Sequence, residues 1–535
     1  MQRIRPMPSL IEDLQSPDAY PPPRPAAVEL RTTHASWVFL TGPEVWKIKR
    51  PVNFGFLDFS TLEKRRAICA DEVRLNAQLA PGVYLGVEPV VRGPDGHRIG
   101  AGDPVEFAVH MVRLPDEDAA LPLLRAGRLS VAHLRALAAR LGAFYAGLPP
   151  LTDEGATAAF ARAVTQNFEQ LRPFAGTNVS GEALAAMESQ QTTALARALP
   201  RLHAREAQGF VKECHGDLRL EHVYFPGGRA DAVPVCIDAL EFNRALRVID
   251  VGLDVAFFAM ELLGEGRRDE SEDFLAAFAQ ASNDFALYAP LDLFVGYRAL
   301  VRAKVACIVA ADSGTPAEKR RRKIEEATRL FALAERSSRP VGPAPWLLVV
   351  MGLPGTGKST LAQALGATLH VPVVSSDATR KHLGGVPPTA RAPAALYSDD
   401  FSQRTMQQLV RSAGDVLGSG RGVILDGTFR KAADRAAVRR LAATAGCPLL
   451  FVQTICDEAI VRERLRVRQQ SASVSDADAA VFETLRQQFE PPVELPAAEY
   501  LIVDSARPAP EPVAQVEARL LRVLPREMFF DLAHR

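Results

Sequence analysis

Residues 346–359 read WLLVVMGLPGTGKS, and this stretch decides the fold of the C-terminal third of the chain. The apolar run WLLVVM is typical of a buried parallel strand. The segment GLPGTGKS, residues 352–359, has the spacing G-x-x-x-x-G-K-[ST], and the helical pattern STLAQALGATL overlaps its end. A strand, a glycine-rich turn and a helix in this order bind phosphate through backbone N–H groups at the helix N-terminus. The sequence therefore predicts a nucleotide-binding domain.

The residue types in this loop match the contacts that ATP requires. Glycine at three positions lets the backbone turn its N–H groups toward phosphate, Lys358 is expected to reach the β- and γ-phosphates, and Ser359 offers a hydroxyl to Mg²⁺. A glycine-rich turn without nucleotide is the alternative, and the correctly spaced lysine and serine argue against it. The predicted nucleotide-binding residues are Gly352, Leu353, Pro354, Gly355, Thr356, Gly357, Lys358, Ser359 and Thr360.

A second apolar run is followed closely by an aspartate and an arginine. In VPVVSSDATRKHLGG, Asp377 and Arg380 come at the carboxyl end of the predicted strand, where open α/β sheets bind ligands. A carboxylate at this edge can accept or orient the proton of an attacking hydroxyl, and an arginine can pair with a phosphate. The alternative is that Asp377 only caps the following helix.

Two further segments add candidates to the same site. In the segment GVILDGTF, the apolar run GVIL ends at Asp426. This residue is either a magnesium-supporting carboxylate or a turn former. After the strand-like PLLFVQTIC, the segment DEAIVRERLRVRQQ places Arg464 and Arg468 one helical turn apart. Such arginines neutralise charge on a transferred phosphoryl group when they belong to a lid, and a solvated basic face is the alternative.

With S-x-D-x-x-R after the second strand, residues 346–505 resemble the P-loop kinases that include polynucleotide 5′-hydroxyl kinases, zeta toxins and gluconate-type kinases. The resemblance implies that Asp377 is the general base or orients the acceptor hydroxyl, and that Arg380 contacts the acceptor. It also implies that Asp426 supports the Mg²⁺ shell or the acceptor.

A second set of motifs lies upstream, in VKECHGDLRLEHVYF, VCIDALEF and VIDVGLDVAFF. These segments resemble the catalytic core of aminoglycoside phosphotransferases and choline-kinase-like enzymes, and the whole chain resembles bacterial fusions of such a domain with a P-loop kinase. The resemblance implies a catalytic loop at His215-Gly216-Asp217 with Asp217 as base, a magnesium ligand at Asp238, and structural roles for Asp250 and Asp254.

One residue departs from that family's pattern. His222 lies five residues after Asp217, where the family usually has asparagine. A neutral imidazole is a poorer Mg²⁺ ligand than an amide oxygen, so we expect weakened or altered metal binding at Asp238 and His222. The activity of this N-terminal site stays open.

A β-rich segment supplies candidate phosphate contacts. In VWKIKR, strand alternation places Lys47 and Lys49 on one face, and either can pair with phosphate and with Glu72 of CADEVRLN. Lys47 is preferred, and two merely solvated lysines are the alternative. Thr33 and Ser36 of RTTHAS are candidates for covering the phosphates.

Composition limits the other classes of function. The 535 residues carry a formal net charge of zero, so no general field draws the protein to nucleic acid or an anionic membrane. The six cysteines lack CxxC spacing and predict reduced thiols without a metal cluster. The sequence shows neither a signal peptide nor an apolar run of spanning length, which predicts a cytoplasmic protein without a membrane partner.

The predicted fold class is α/β and α+β in two domains. The first is a protein-kinase-like, aminoglycoside phosphotransferase fold, and the second is a P-loop parallel sheet flanked by helices. The predicted segments are a proline-rich arm (1–27), the kinase-like domain (28–336), a linker (337–345), the P-loop kinase domain (346–527) and a tail (528–535). The predicted activity is transfer of the γ-phosphate of ATP, with Mg²⁺, to a hydroxyl acceptor. A small molecule is the expected acceptor and a nucleic-acid end stays open; the alternative is an ATP-binding regulatory protein with an N-terminal pseudokinase module.

Overall fold

The computed structural model describes residues 8–33, 35–53, 57–94, 96–152, 155–337, 345–387, 390–468, 479–508 and 510–524. The chain forms two compact units, residues 1–163 with 202–261 and residues 164–201 with 262–535. Most of the predicted linker and all of the predicted tail lie outside the described residues, so these boundaries stay predictions.

An antiparallel sheet dominates the described part of the first unit, with its strands in the order β1-β2-β3-β6-β4-β5. The elements are α1 (Pro8–Asp13), β1 (Glu29–Thr32), β2 (Ser36–Leu40), β3 (Glu44–Lys49), α2 (Leu62–Asn76), β4 (Tyr84–Gly93), β5 (Gly96–Ile99) and β6 (Pro104–Val112). Both faces of the sheet are apolar, because Trp46 and Ile48 pack on one side and Val45 packs with helix α2 on the other. The alternation in β3 therefore sends both of its lysines toward α2.

The N-terminal segment joins this core. Leu10, Leu14 and Tyr20 are buried in one cluster with Phe39 and Trp46, and the Tyr20 hydroxyl donates to the carbonyl of Leu14 at 2.6 Å. The prediction of an extended arm is therefore wrong for residues 8–20. Apolar residues at helical spacing cover the outer face of the sheet there, a pattern that the neighbouring prolines obscured in the sequence.

Short strands and helices complete the first unit and begin the second. They are α3 (Ala120–Arg125), α4 (Val131–Gly147), α5 (Ala156–Leu171), α6 (Gly181–Ala207), β7 (Val211–Glu213), β8 (Val223–Tyr224), β9 (Val235–Cys236), β10 (Val248–Asp250) and α7 (Val251–Gly264). Strand β7 pairs with β10 and β8 pairs with β9, both antiparallel. These two ribbons carry the HGD and IDALE segments on their connecting loops.

The second unit contains the parallel sheet predicted from the P-loop. Its elements are α8 (Arg268–Ser282), α9 (Tyr288–Ala311), α10 (Ala317–Ser337), β11 (Leu347–Met351), α11 (Lys358–Leu369), β12 (Val373–Ser375), α12 (Ser376–Leu383), α13 (Asp399–Leu417), β13 (Val423–Gly427), α14 (Ala432–Ala445), β14 (Leu449–Ile455), α15 (Glu458–Arg468), α16 (Ala479–Gln487), β15 (Tyr500–Asp504) and α17 (Pro510–Val523). The described strands follow the order β12-β13-β11-β14-β15, and every neighbouring pair is parallel. The predicted fold class is confirmed.

Strand β11 explains why this sheet is parallel and central. All five of its residues are fully buried, since helices cover both faces of the sheet. In the register, Asp426 of β13 lies beside Ser375 of β12 and Val350 of β11. The carboxyl ends of three strands therefore meet at one edge, where the glycine-rich loop begins.

Polar contacts tie this sheet to helices α8 and α9 within the second unit. Arg421, just before β13, lies 3.0 Å from a carboxylate oxygen of Glu272 on α8 and 3.0 Å from one of Asp292 on α9. His370 Nδ1, at the end of α11, lies 3.0 Å from Asp273 Oδ1. The Arg421 side chain is 10% exposed, so these ion pairs are shielded from solvent.

We expect Arg421→Ala to lower the free energy of unfolding of the second unit by about 3 kcal/mol, because it leaves two partly buried carboxylates without their main positive partner. Thermal and chemical denaturation of the full chain measure the change. Arg321→Ala is the control, since Arg321 and Glu318 form an exposed pair. Equal small shifts for the two variants would show that the Arg421 pairs do not hold the sheet to the helices.

Candidate functional site

The glycine-rich loop has a shape that only glycine permits at its first position. At Gly352 φ is +152°, and a Cβ there would lie 2.5 Å from Thr454 Oγ1 and 2.8 Å from Thr356 Oγ1. Thr356 Oγ1 donates to the carbonyl of Leu353 at 2.7 Å and lies 2.8 Å from Thr454 Oγ1. Thr454 on β14 therefore supports the loop, a role that sequence reasoning missed although a threonine stands out in that apolar strand.

A buried carboxylate lies beside the start of helix α11. Asp426 is 3% exposed and hydrogen-bonds the side chains of Ser359 and Ser375. Burial raises the pKa of Asp426, and the charge of Asp377 raises it further, although Lys358 opposes this shift. Among the described residues, Asp426 Oδ1 has no hydrogen-bond partner.

These residues fit a magnesium ion. An unpartnered buried carboxylate oxygen next to a serine hydroxyl is the oxygen-rich environment that Mg²⁺ prefers, and the neighbouring Lys358 begins the helix that faces the phosphates. Asp426, Ser359 and Lys358 thus come together as the sequence predicts.

Helix α12 carries the two residues assigned to the acceptor. Asp377 lies in its first turn, within electrostatic range of Asp426 and Arg380. Arg380 Nη1 donates to the carbonyl of Leu396 at 2.6 Å, and its guanidinium lies 4.8 Å from the ring centre of Tyr397. Burial lowers the pKa of Arg380, while Asp377 opposes that shift. Arg380 thereby holds the 396–397 segment, and its contact with an acceptor stays a prediction.

Arg464 lies against the glycine-rich loop. Its Nη1 is 3.4 Å from the carbonyl of Gly355, and its Nη2 donates to the carbonyl of Ser505 at 2.8 Å. Ser505 Oγ in turn donates to the carbonyl of Thr356 at 2.6 Å. Arg468 ends helix α15, and its side chain lies outside the described residues. Ser505, which follows the last strand of the sheet, is a further loop contact absent from the sequence prediction.

The N-terminal site is built around Glu72 of helix α2. Lys47 Nζ lies 2.8 Å from Glu72 Oε1 and 2.6 Å from Asp238 Oδ1. Lys49 Nζ lies 2.6 Å from Glu72 Oε2 and 2.5 Å from Glu241 Oε1. Both lysines therefore reach the carboxylate expected from strand alternation, and neither is a solvated surface residue. Glu241 is a member of the site that sequence reasoning missed.

His222 lies between the two carboxylates assigned to catalysis. Its Nδ1 is 2.9 Å from the carbonyl oxygen of Asp217 and 3.4 Å from Asp217 Oδ2, while its Nε2 is 3.7 Å from Asp238 Oδ2. Burial would raise the pKa of Asp238, but the charges of Lys47 and His222 hold it well below its ordinary value. The structure thus groups Lys47, Asp217, His222 and Asp238, and binding of magnesium at Asp238 stays a prediction.

Two buried aspartates frame the HGD loop. Asp254 accepts hydrogen bonds from the backbone N–H groups of His215 and Gly216 at 2.8 and 2.9 Å, and from the Tyr145 hydroxyl at 2.8 Å. Asp250 forms a two-point ion pair with Arg205 at 2.7 and 2.9 Å. These contacts hold the loop and leave both aspartates without direct access to a substrate.

Thr33 and Ser36 mainly bond each other. Thr33 Oγ1 accepts from the backbone N–H of Ser36 at 2.9 Å and donates to its carbonyl at 3.1 Å. Ser36 is 2% exposed. The two residues close the β1–β2 turn, and His34 between them lies outside the described residues.

Some classes of site are missing from the described part of the chain. No helix there is long and apolar enough to cross a membrane. No group of three or more His, Cys, Asp or Glu side chains there is arranged to hold a metal ion. None of the six cysteines forms a disulfide bond, and burial raises the pKa of Cys69 and Cys236 to about 12.

Different known proteins match different regions of the chain. Residues 347–492 match the family described as AAA domain. A gluconokinase from Sinorhizobium meliloti 1021 matches with 25% identity and a TM-score of 0.27, over 35% of this chain and 98% of that one. The GDP and kanamycin complex of APH(2″)-IIia matches with 12% identity and a TM-score of 0.38, over 61% of this chain and 98% of that one. The predicted pair of kinase resemblances agrees with these matches.

A longer match covers most of the molecule. The protein Rv2004c of Mycobacterium tuberculosis (strain ATCC 25618 / H37Rv) is 31% identical over 477 residues, which span 88% of this chain and 92% of that protein. At that identity and coverage, this chain, with its glycine-rich loop and its Lys47–Glu72–Asp238 site, belongs to the family of Rv2004c.

Proposed function

We propose that this protein is an ATP-dependent kinase whose C-terminal site transfers the γ-phosphate to a hydroxyl acceptor. The observation that carries the proposal is the buried, unpartnered Asp426 Oδ1 beside Ser359 and the glycine-rich loop. This oxygen supports Mg²⁺ binding beside the nucleotide, and Asp377 in the first turn of α12 supports transfer to an acceptor.

Each residue of this site has a distinct role in the proposed reaction. The backbone of the loop and Lys358 bind the β- and γ-phosphates, and Ser359 with Asp426 would hold Mg²⁺, which neutralises phosphate charge when bound. Asp377 orients the acceptor hydroxyl and takes its proton as the oxygen bonds to the γ-phosphorus. The bond from that phosphorus to the β,γ-bridging oxygen breaks, and ADP leaves. Arg464, which contacts the loop, offsets the charge that develops on the phosphoryl group.

The acceptor is proposed as a small hydroxyl compound in the cytoplasm. The absence of a net positive charge gives no support to a polymeric anion, and a nucleic-acid end is the alternative acceptor. Arg380 is the proposed acceptor contact, because it lies on the same helix as Asp377 and is held in place by Leu396.

The N-terminal site is proposed as a second ATP site with Lys47 on the phosphates and Asp238 on Mg²⁺. The Lys47–Glu72 pair and the position of Asp217 near Asp238 support this role. An alternative is a regulatory pseudokinase module, favoured by His222, which lies where the related kinases present an amide oxygen. Magnesium-dependent ATP binding at this site separates the two functions.

We expect Lys358→Ala to abolish most ATP binding at the C-terminal site, because it removes the main point charge on the β- and γ-phosphates. Calorimetric titration of the full chain should show two ATP sites in the wild type and one in the variant. Lys319→Ala, on the exposed face of α10, is the control. Unchanged stoichiometry and affinity would contradict the phosphate-binding role, and a variant that binds no ATP would exclude the N-terminal site.

Asp377→Asn should lower the transfer rate about 100-fold or more and leave ATP affinity unchanged, because the residue acts on the acceptor and not on the nucleotide. The measurement is transfer of label from γ-labelled ATP to pooled hydroxyl metabolites, together with the KM for ATP. Asp400→Asn, in an exposed position on α13, is the control. Weakened ATP binding with intact turnover would show that Asp377 belongs to the nucleotide site.

Asp426→Asn should raise the melting temperature in magnesium-free buffer at neutral pH. The folded-state pKa of Asp426 lies above its unfolded value, so the ionised carboxylate destabilises the fold, and this cost disappears as pH falls through the folded pKa. The variant's advantage should therefore shrink on acidification, and Mg²⁺ should no longer strengthen ATP binding at the C-terminal site. Thermal unfolding with EDTA between pH 7 and pH 4 checks the sign. A variant less stable than the wild type at neutral pH would refute it.

A further inference from the structure

The loop that presents Asp238 has an unfavourable backbone conformation. Asp238 has φ +62°, in the left-handed region that residues with a Cβ seldom adopt. Such a conformation is strained and persists only where surrounding contacts impose it. The contacts that hold this loop are therefore part of the N-terminal site.

Each of the four residues from 238 to 241 is anchored to a different element. Asp238 N–H donates to the Tyr84 hydroxyl at 3.0 Å, and Ala239 N–H donates to Asn76 Oδ1 at 2.9 Å. Leu240 N–H donates to the His215 carbonyl at 2.9 Å. The fourth anchor is the side chain of Glu241, which accepts from Lys49 Nζ at 2.5 Å.

The fourth anchor is the one formed between charged side chains, and it is buried. Lys49, Glu72 and Glu241 are 1%, 0% and 9% exposed. Removing one member of such a buried set leaves an uncompensated charge, which the loop can relieve only by moving. Because Glu241 lies three residues after Asp238, that movement would release the strained residue.

Glu72 divides its two oxygens between the two lysines. Oε1 faces Lys47 and Oε2 faces Lys49, while only Lys47 also reaches Asp238. Lys49 instead reaches Glu241 and is enclosed on all sides, with its ammonium 5.6 Å from the ring centre of Phe59. Lys47 is therefore placed for the phosphates and Lys49 is not.

We propose that Lys49 is a positioning residue that, through Glu241, holds the Asp238 loop in the arrangement that binds magnesium. Lys49 touches neither the nucleotide nor the metal. This inference rests on the proposed ATP binding of the N-terminal site, and it assigns separate tasks to two lysines that look equivalent in the sequence.

The experiment uses the full chain with Lys358→Ala, so that residual ATP binding reports the N-terminal site. In that background, Lys49→Met and Glu241→Gln should each lower ATP affinity in Mg²⁺ by about 10–100-fold, as loss of an indirect support of a metal ligand does. With EDTA, ATP affinity should be unchanged in both variants and reduced in Lys47→Met. The double variant should be no weaker than the worse single one, because the two residues act as one unit. Lys49→Arg should retain most of the affinity.

Hydrogen exchange of the peptide that covers residues 236–242 gives a second readout that needs no nucleotide. Exchange should accelerate in Lys49→Met and Glu241→Gln and stay at the wild-type rate in Lys49→Arg. Glu241→Gln keeps size and hydrogen bonding, so it carries the test where Lys49→Met does not fold.

Different outcomes reject different claims. If Lys49→Met and Lys47→Met weaken ATP binding equally with EDTA, then Lys49 contacts phosphate and the proposal is wrong. Unchanged exchange in both variants also overturns it. If the Lys358→Ala background binds no ATP, the proposed N-terminal function fails, while accelerated exchange would still show that Lys49 holds the loop.

Discussion

A carboxylate buried in protein needs a positive partner or hydrogen-bond donors, and this constraint shapes both candidate sites. Glu72 is fully buried and satisfies the constraint twice, with one lysine on each oxygen. Asp426 is nearly as deeply buried, yet one of its oxygens has no partner among the described residues. The first arrangement fixes the position of Glu72, and the second leaves an Asp426 oxygen open for the proposed Mg²⁺, so carboxylate burial has a different consequence at each site.

Local motifs account for what the sequence predicts well. The glycine-rich loop and Asp377 come just after their strands, Asp426 lies near the end of its strand, and parallel register brings the ends of neighbouring strands together without further information. The paired lysines are predictable for the same reason, because alternation along one strand fixes their common face. In each case the sequence pattern that predicts the residue lies within one short segment of the chain.

The unpredicted members of the sites come from distant parts of the chain. Thr454 reaches Thr356 across 98 positions, and Glu241 reaches Lys49 across 192. No spacing rule links such pairs, since their approach depends on how complete elements pack. The prediction of a proline-rich arm was wrong for a related reason. Leu10 and Leu14 are core residues because they pack on the outer face of the sheet, which no local pattern reveals.

Three elements of the C-terminal site depend on helices that the sequence assigns to the N-terminal domain. His370 ends the helix that follows the glycine-rich loop and pairs with Asp273; Arg421 precedes the strand of Asp426 and pairs with α8 and α9. On helix α12, Thr379 Oγ1 lies 3.4 Å from Asn283 Oδ1. A fragment beginning near residue 340 would keep the loop and Lys358 but would leave the buried Arg421 without both carboxylates. The candidate nucleotide site is therefore local in sequence, while the contacts that fix its strands and helix α12 extend into residues 262–337.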